Sequence, residues 1–142
     1  MKKILVIGVK NTFRSIIASQ YLGKLIAEKA LPDISVISAG VMAFPDIPAE
    51  PEAVTQLEKL GISGAFVSTP LKKTDIAEAD IIITMSEKIK AAILMKFPDA
   101  LKVHTLSETA GLAGDVEASE TCGGQIKELI EKGFEFMTGV KY

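Results

Sequence analysis

The stretch ILVIGVKNTFRSIIASQYL, residues 4–22, decides the fold. It begins with an apolar run typical of a buried strand, continues through a short polar loop and passes into residues with helical periodicity. A strand that runs this directly into a helix leaves the first backbone N–H groups of the helix facing the loop, where they form an anion site. Arg14 lies at the mouth of this loop, which we call the oxyanion loop (residues 8–14). The sequence therefore predicts an oxyanion site between a first strand and a first helix.

Outward from this stretch, apolar runs alternate with amphipathic segments along the chain. This alternation is typical of βαβ units and predicts a largely parallel sheet with helices on both faces. We expect strands at residues 4–7, 35–38, 80–85 and 103–106, and helices at residues 15–29, 50–60, 86–95 and 124–137. Residues 107–124 form a long polar connection, and a loop of that length inside a compact domain is usually functional.

Composition and charge exclude several classes of protein. A chain of 142 residues, 48% of them apolar, fits one domain with one core. The net charge of -2, with acids and bases mixed, offers no basic surface for nucleic acid and no polybasic segment for membranes. The single cysteine, Cys122, excludes an intrachain disulfide and a cysteine-cluster metal site. We expect a cytoplasmic protein with no metal and no cofactor.

The oxyanion loop does not match the common nucleotide-binding motifs. It lacks the glycine and lysine pattern of a P-loop and the G-x-G-x-x-G of a dinucleotide site. Ligands of open parallel sheets bind beyond the carboxyl ends of the strands, which is where this loop belongs. We therefore expect a small anion or a phosphorylated group rather than a nucleotide.

Five segments together resemble one known family. GVKNTFRS at 8–15, VISAG at 36–40, VSTPL at 67–71, ADIIITMS at 79–86 and HTLSETAG at 104–111 occur in the order found in low molecular weight protein tyrosine phosphatases. That family includes related arsenate reductases and bacterial arginine phosphatases. The resemblance covers nearly the whole chain. It implies one three-layer α/β/α domain, residues 1–142, with a four-stranded parallel sheet of order 2-1-3-4, the phosphotyrosine phosphatase I-like fold.

The resemblance fails at the two positions that carry the family's chemistry. The family motif C-x5-R-[ST] supplies a thiolate that attacks phosphorus, and here Asn11, Arg14 and Ser15 match while Gly8 replaces the cysteine. The family's general acid, an aspartate on the last long loop, falls on Ala118. The resemblance therefore predicts a pseudophosphatase with no catalytic residues, in which an anion-binding loop survives.

The predicted ligands are phosphate, sulfate or a phosphorylated residue, the last implying a phosphoprotein partner. We expect Lys10 to point into solvent and Ser15 to cap the first helix. Asn11 is expected to hold the loop together through its side chain. The predicted anion-binding residues are Val9, Lys10, Asn11, Thr12, Phe13, Arg14 and Ser15.

Two other functions stay open at this stage. One is a residual phosphohydrolase or arsenate-handling enzyme that uses Cys122 or an activated water, with an acid drawn from Asp115, Glu117 or Glu120. The other is a structural descendant that binds nothing. We expect Cys122 to be a bystander, because a residue on the last loop would approach phosphorus from the leaving-group side.

Three further residues have competing interpretations. His104 lies in a predicted strand, where a lone histidine is more often structural than catalytic. Met42 and Phe44 follow the SAG segment, and contact with a ligand and packing in the core are equal explanations for them.

Overall fold

A four-stranded parallel sheet forms the centre of the computed structural model, which describes residues Met1–Tyr142. The neighbouring strands pair in the order β2-β1-β3-β4, which confirms the predicted order 2-1-3-4. The strands are β1 (Lys2–Gly8), β2 (Ile34–Gly40), β3 (Ile81–Thr84) and β4 (Val103–Thr105).

Six helices surround the sheet in a three-layer α/β/α domain. α1 packs against β2, α2 and α6, while α3 contacts β1 and α4 contacts β3 and β4. None of the six combines the length and the hydropathy that crossing a bilayer requires. The helices are α1 (Arg14–Glu28), α2 (Pro51–Lys59), α3 (Lys73–Glu78), α4 (Glu87–Lys96), α5 (Leu106–Thr109) and α6 (Cys122–Thr138).

The core lies around the two central strands. Residues 4–7 of β1 and 81–83 of β3 are almost fully buried, because helices cover both faces of the sheet. The apolar positions of α6 repeat at helical spacing and are buried, as the sequence pattern predicted. Burial on both faces explains why these strands read as unbroken apolar runs rather than as alternating ones.

Most element boundaries differ from the predicted ones by one or two residues, and two of these differences have clear local reasons. The predicted strand at 103–106 ends at Thr105, because the Thr105 side chain accepts a hydrogen bond from the Glu108 N–H and starts α5. α6 begins at Cys122 instead of residue 124, so Gly123 and Gly124 lie inside its first turn. The long polar connection is therefore shortened at both ends.

Candidate oxyanion site

The oxyanion loop encloses a pocket of about 190 Å³ at the carboxyl end of β1. This volume is smaller than the range of about 300–1,000 Å³ for drug-sized ligands, and it suits a small ion or the end of one side chain. The pocket brings all seven predicted anion-binding residues together with Ala118, which lies on the distant loop between α5 and α6. Its lining residues are Gly8, Val9, Lys10, Asn11, Thr12, Phe13, Arg14, Ser15, Glu50 and Ala118.

Asn11 holds the loop in shape. Its backbone is left-handed, with φ of 58°, a conformation that asparagine tolerates better than most residues. Its Oδ1 accepts a hydrogen bond from the Thr69 N–H at 2.8 Å, and its Nδ2 donates to Ser15 Oγ at 2.8 Å. The buried amide thus joins the loop to the segment that follows α2 and to the first turn of α1.

Ser15 does not cap α1, and that prediction is wrong. The helix begins at Arg14, so Ser15 is its second residue, and the N-cap residue, Phe13, makes no side-chain capping bond. The Ser15 hydroxyl is buried and accepts its hydrogen bond from the Asn11 side chain. α1 therefore begins one residue earlier than predicted, and Ser15 lines the pocket without capping the helix.

Arg14 connects the loop to the other side of the pocket. Its Nη1 donates to the carbonyl oxygen of Val116 at 2.7 Å. Val116 is fully buried, and its own N–H donates to the Met85 carbonyl oxygen at 2.9 Å. Because a guanidinium has five N–H donors, Arg14 can hold this carbonyl and still present donors to an anion.

Glu50 is the pocket residue that sequence reasoning missed. It immediately precedes α2, and its carboxylate accepts a hydrogen bond from the Thr12 hydroxyl at 2.9 Å. Its N–H donates to the Thr12 carbonyl oxygen at 2.9 Å. The available signal was Pro51, which marks the first turn of a helix and thus puts Glu50 at an exposed helix start. Glu50 is the one carboxylate that lines the pocket.

The alternative acids lie outside this pocket. Asp115 accepts a hydrogen bond from the Glu87 N–H at 2.9 Å, at the start of α4. Glu117 and Glu120 are exposed and do not line the pocket.

Cys122 is enclosed at the start of α6. Its side chain is 1% exposed, and its Sγ lies 3.6 Å from Gln56 Oε1. The Gln56 side chain also accepts from the Gly123 N–H and donates to the Ser119 carbonyl oxygen. Cys122 does not line the pocket.

The remaining candidates occupy separate places. His104 lies in β4, where its ring meets the Phe136 ring edge to face at 4.9 Å and burial lowers the pKa of the imidazole. Met42 and Phe44 are 71% and 75% exposed, so their predicted alternative of core packing is wrong. Lys10 is exposed as expected, although it also lines the pocket.

The order of the sheet and the loop after its first strand define a phosphatase-like α/β protein. The family model for low molecular weight phosphotyrosine protein phosphatase matches residues 3–135. The chain belongs to this family.

Two bacterial proteins are similar to this chain in sequence, and a solved structure is similar to it in fold. The chain is 35% identical over 127 residues to a protein-arginine-phosphatase of Geobacillus stearothermophilus, covering 88% of this chain and 82% of that protein. It is 37% identical over 115 residues to the protein-arginine-phosphatase of Bacillus subtilis, with coverage of 80% and 76%. A structure of YwlE arginine phosphatase, in which a mutant active-site serine is phosphorylated, superposes with a TM-score of 0.85 at 30% identity, covering 92% and 91%.

Proposed function

We propose that this member of the family binds phosphate or a phosphorylated residue in the oxyanion loop and does not hydrolyse it. The observation that carries the proposal is Gly8, at the end of β1 and in the wall of the pocket, where no side chain is available to form a phosphoenzyme. No thiol lines the pocket. In hydrolases that form a covalent intermediate, loss of the nucleophile lowers the rate by a factor on the order of 10⁴ to 10⁶.

Binding would use the groups that remain. The first residues of α1 line the pocket, and the free backbone N–H groups at the start of a helix favour negative charge. The Arg14 fork matches two oxygens of a tetrahedral anion. Neither contribution requires a nucleophile or a proton donor, so the loop retains its affinity while the covalent route is closed.

Among phosphorylated residues, we propose phosphoarginine as the preferred ligand. Two relatives are named protein-arginine-phosphatases, and Glu50 puts a carboxylate in the same pocket as Arg14. The guanidinium part of phosphoarginine has N–H donors for this carboxylate, whereas phosphotyrosine has none next to its phosphoryl group. The phosphoarginine would be part of a partner protein. We also propose that the protein acts in the cytoplasm, as expected from the sequence.

Residual hydrolysis through Cys122 is disfavoured by the position of the thiol. A nucleophile has to come within about 3–3.5 Å of phosphorus and in line with the leaving group. Cys122 is buried against Gln56 and does not line the pocket.

The first experiment is a thermal-shift titration with inorganic phosphate. We expect phosphate to raise the melting temperature of the wild type, because a ligand that binds only the folded state stabilises it. Arg14→Ala should respond little and Arg14→Lys partially, since lysine keeps the charge without the fork. Lys24→Ala is the matched control, because Lys24 is on the same helix but pairs with Glu28 outside the pocket. Equal responses from the wild type and Arg14→Ala would refute the anion site.

The second experiment separates binding from hydrolysis. We expect no measurable turnover of an activated aryl phosphate by the wild type, and turnover typical of active phosphatases would refute the proposal. Calorimetry should show tighter binding of phosphoarginine than of phosphotyrosine peptides. Glu50→Gln should reduce that preference, and an unchanged preference would remove Glu50 as its cause.

A further inference from the structure

Gly8 and Ser15 both line the pocket, and the Ser15 side chain lies next to Gly8. A Cβ atom built on Gly8 would lie 2.7 Å from Ser15 Oγ, closer than real Cβ atoms approach, and 3.0 Å from Ser15 Cβ. The Ser15 side chain therefore occupies the space that any side chain at position 8 would enter.

The hydrogen bonds around Ser15 leave its hydroxyl proton free to be donated. Asn11 Oδ1 is engaged by the Thr69 N–H, so the Asn11 NH₂ group faces Ser15 and the hydroxyl oxygen acts as the acceptor. Ser15 is 1% exposed, and its own O–H donates to no group in the structure. A buried donor without an acceptor costs free energy, which a ligand that accepts the bond would recover.

We infer that the Ser15 hydroxyl donates a hydrogen bond to the bound oxyanion from beneath it, next to Gly8, which has no side chain to come between them. This inference rests on the proposed function and specifies what Ser15, one of the predicted anion-binding residues, contributes to binding. Arg14 and the loop N–H groups supply charge and donors around the anion, while Ser15 supplies a neutral donor beneath it.

A neutral donor changes the electrostatics of the pocket. A thiolate in this place would repel a phosphate dianion, and the repulsion would grow as the thiol loses its proton. The Ser15 hydroxyl does not titrate in the range of physiological pH, and it attracts both the monoanion and the dianion of phosphate. The pocket is consequently suited to retaining a phosphoryl group rather than transferring it.

The test measures phosphate affinity by calorimetry in the wild type and in variants of Ser15. Ser15→Ala should weaken binding roughly tenfold, the size expected for one hydrogen bond to a charged group. Ser15→Thr keeps the hydroxyl and should retain most of the affinity. Ser19→Ala is the matched control, because Ser19 is buried one turn further along α1, bonds to the Ile16 carbonyl oxygen and does not line the pocket.

A double-mutant cycle with Gly8→Ala separates direct contact from support of the loop. The added methyl group should displace the hydroxyl and weaken binding by itself, and Ser15→Ala should then cost nothing further. An equal loss on Ser15→Ala in both backgrounds would show that Ser15 acts only through Asn11, and it would overturn the inference. If Gly8→Ala does not fold, the comparison of Ser15→Ala with Ser15→Thr decides, because equal losses would also overturn it.

Failure of this inference is distinguishable from failure of the proposed function. A wild type that binds phosphate as tightly as Ser15→Ala would overturn the role of Ser15 alone. A wild type that binds no phosphate would overturn the proposed function and, with it, the inference.

Discussion

Residue 8 determines what chemistry the pocket can perform. A Cβ atom there would lie 2.7 Å from Ser15 Oγ, so the Ser15 side chain takes up the space beside Gly8. Reinstating a thiol requires Ser15 to move, and overpacking of this kind typically costs about 1–3 kcal/mol. The restored side chain would nonetheless lie beside Arg14 and the N–H groups of the loop.

We predict that Gly8→Cys introduces a thiol with a pKa below its ordinary value of about 8.5, because cations and helix N-termini stabilise thiolates. The measurement is the pH dependence of iodoacetamide alkylation, followed by mass spectrometry. The wild type is the control, since its single thiol, Cys122, is buried and should react slowly. Added phosphate should protect the new thiol. An alkylation midpoint near 8.5 without phosphate protection would contradict the prediction.

At the scale of elements, α5 and α6 pack closely at one glycine. A Cβ atom on Gly133 would collide with the Thr109 hydroxyl and lie 3.1 Å from the Thr109 carbonyl carbon. Gly124, in the same helix, has nothing within 4 Å of its Cβ position.

We predict opposite effects of alanine at these two glycines. Gly133→Ala should lower the free energy of unfolding by about 1–3 kcal/mol through overpacking against backbone. Gly124→Ala should raise it by up to about 1 kcal/mol, because alanine is the better helix former. Urea denaturation of both variants measures the difference. Equal effects from the two would show that helix propensity alone operates in α6.

The start of α5 links the stability of the fold to pH. The Thr105 N–H donates to Glu108 at 3.0 Å and Lys90 Nζ lies 2.9 Å from the same carboxylate, which together hold the pKa of Glu108 at about 2. A depressed carboxyl pKa stabilises the folded state above the unfolded value of about 4.5, and the contribution is lost as pH falls toward 2.

We predict that Glu108→Gln lowers the free energy of unfolding at pH 7 by about 1–2 kcal/mol, a figure that allows for partial solvent screening. The difference from wild type should shrink as pH falls from 4.5 to 2. Denaturation at several pH values measures it. Glu128→Gln is the control, because Glu128 forms an exposed pair with Lys132 and should contribute little. A difference that stays constant with pH would exclude ionisation of Glu108 as its source.

The whole molecule brings distant parts of the chain to one edge of the sheet. The pocket joins residues 8–15, Glu50 and Ala118, and Arg14 bonds to Val116 in the same loop as Ala118. We predict that phosphate slows hydrogen exchange in all three segments together, and that Arg14→Ala removes the effect. Hydrogen-exchange mass spectrometry measures this. Protection confined to residues 9–15 would show that the loop binds without the rest of the pocket.

Local patterns in the sequence account for much of this fold. Periodicity predicts the buried strands, the amphipathic α6 and the strand-to-helix transition around Arg14. Apolar residues at a fixed spacing all face the core only when the backbone has the matching period. Family resemblance added the sheet order, which the structure confirms. The resemblance also predicts that Gly8 and Ala118 stand at the positions of the family's nucleophile and acid.

Only the tertiary structure decided how the pocket is completed. Glu50 is 38 residues from Thr12 in sequence, and no local pattern predicts that its carboxylate accepts a hydrogen bond from the Thr12 hydroxyl. The hydrogen bond that Ser15 accepts depends on where α1 begins and on the orientation of the Asn11 amide. The Thr69 N–H fixes that orientation by donating to Asn11 Oδ1. The enclosure of Cys122 depended on Gln56, which lies on another helix. Periodicity is a property of neighbours in sequence, whereas these contacts depend on how separate elements pack.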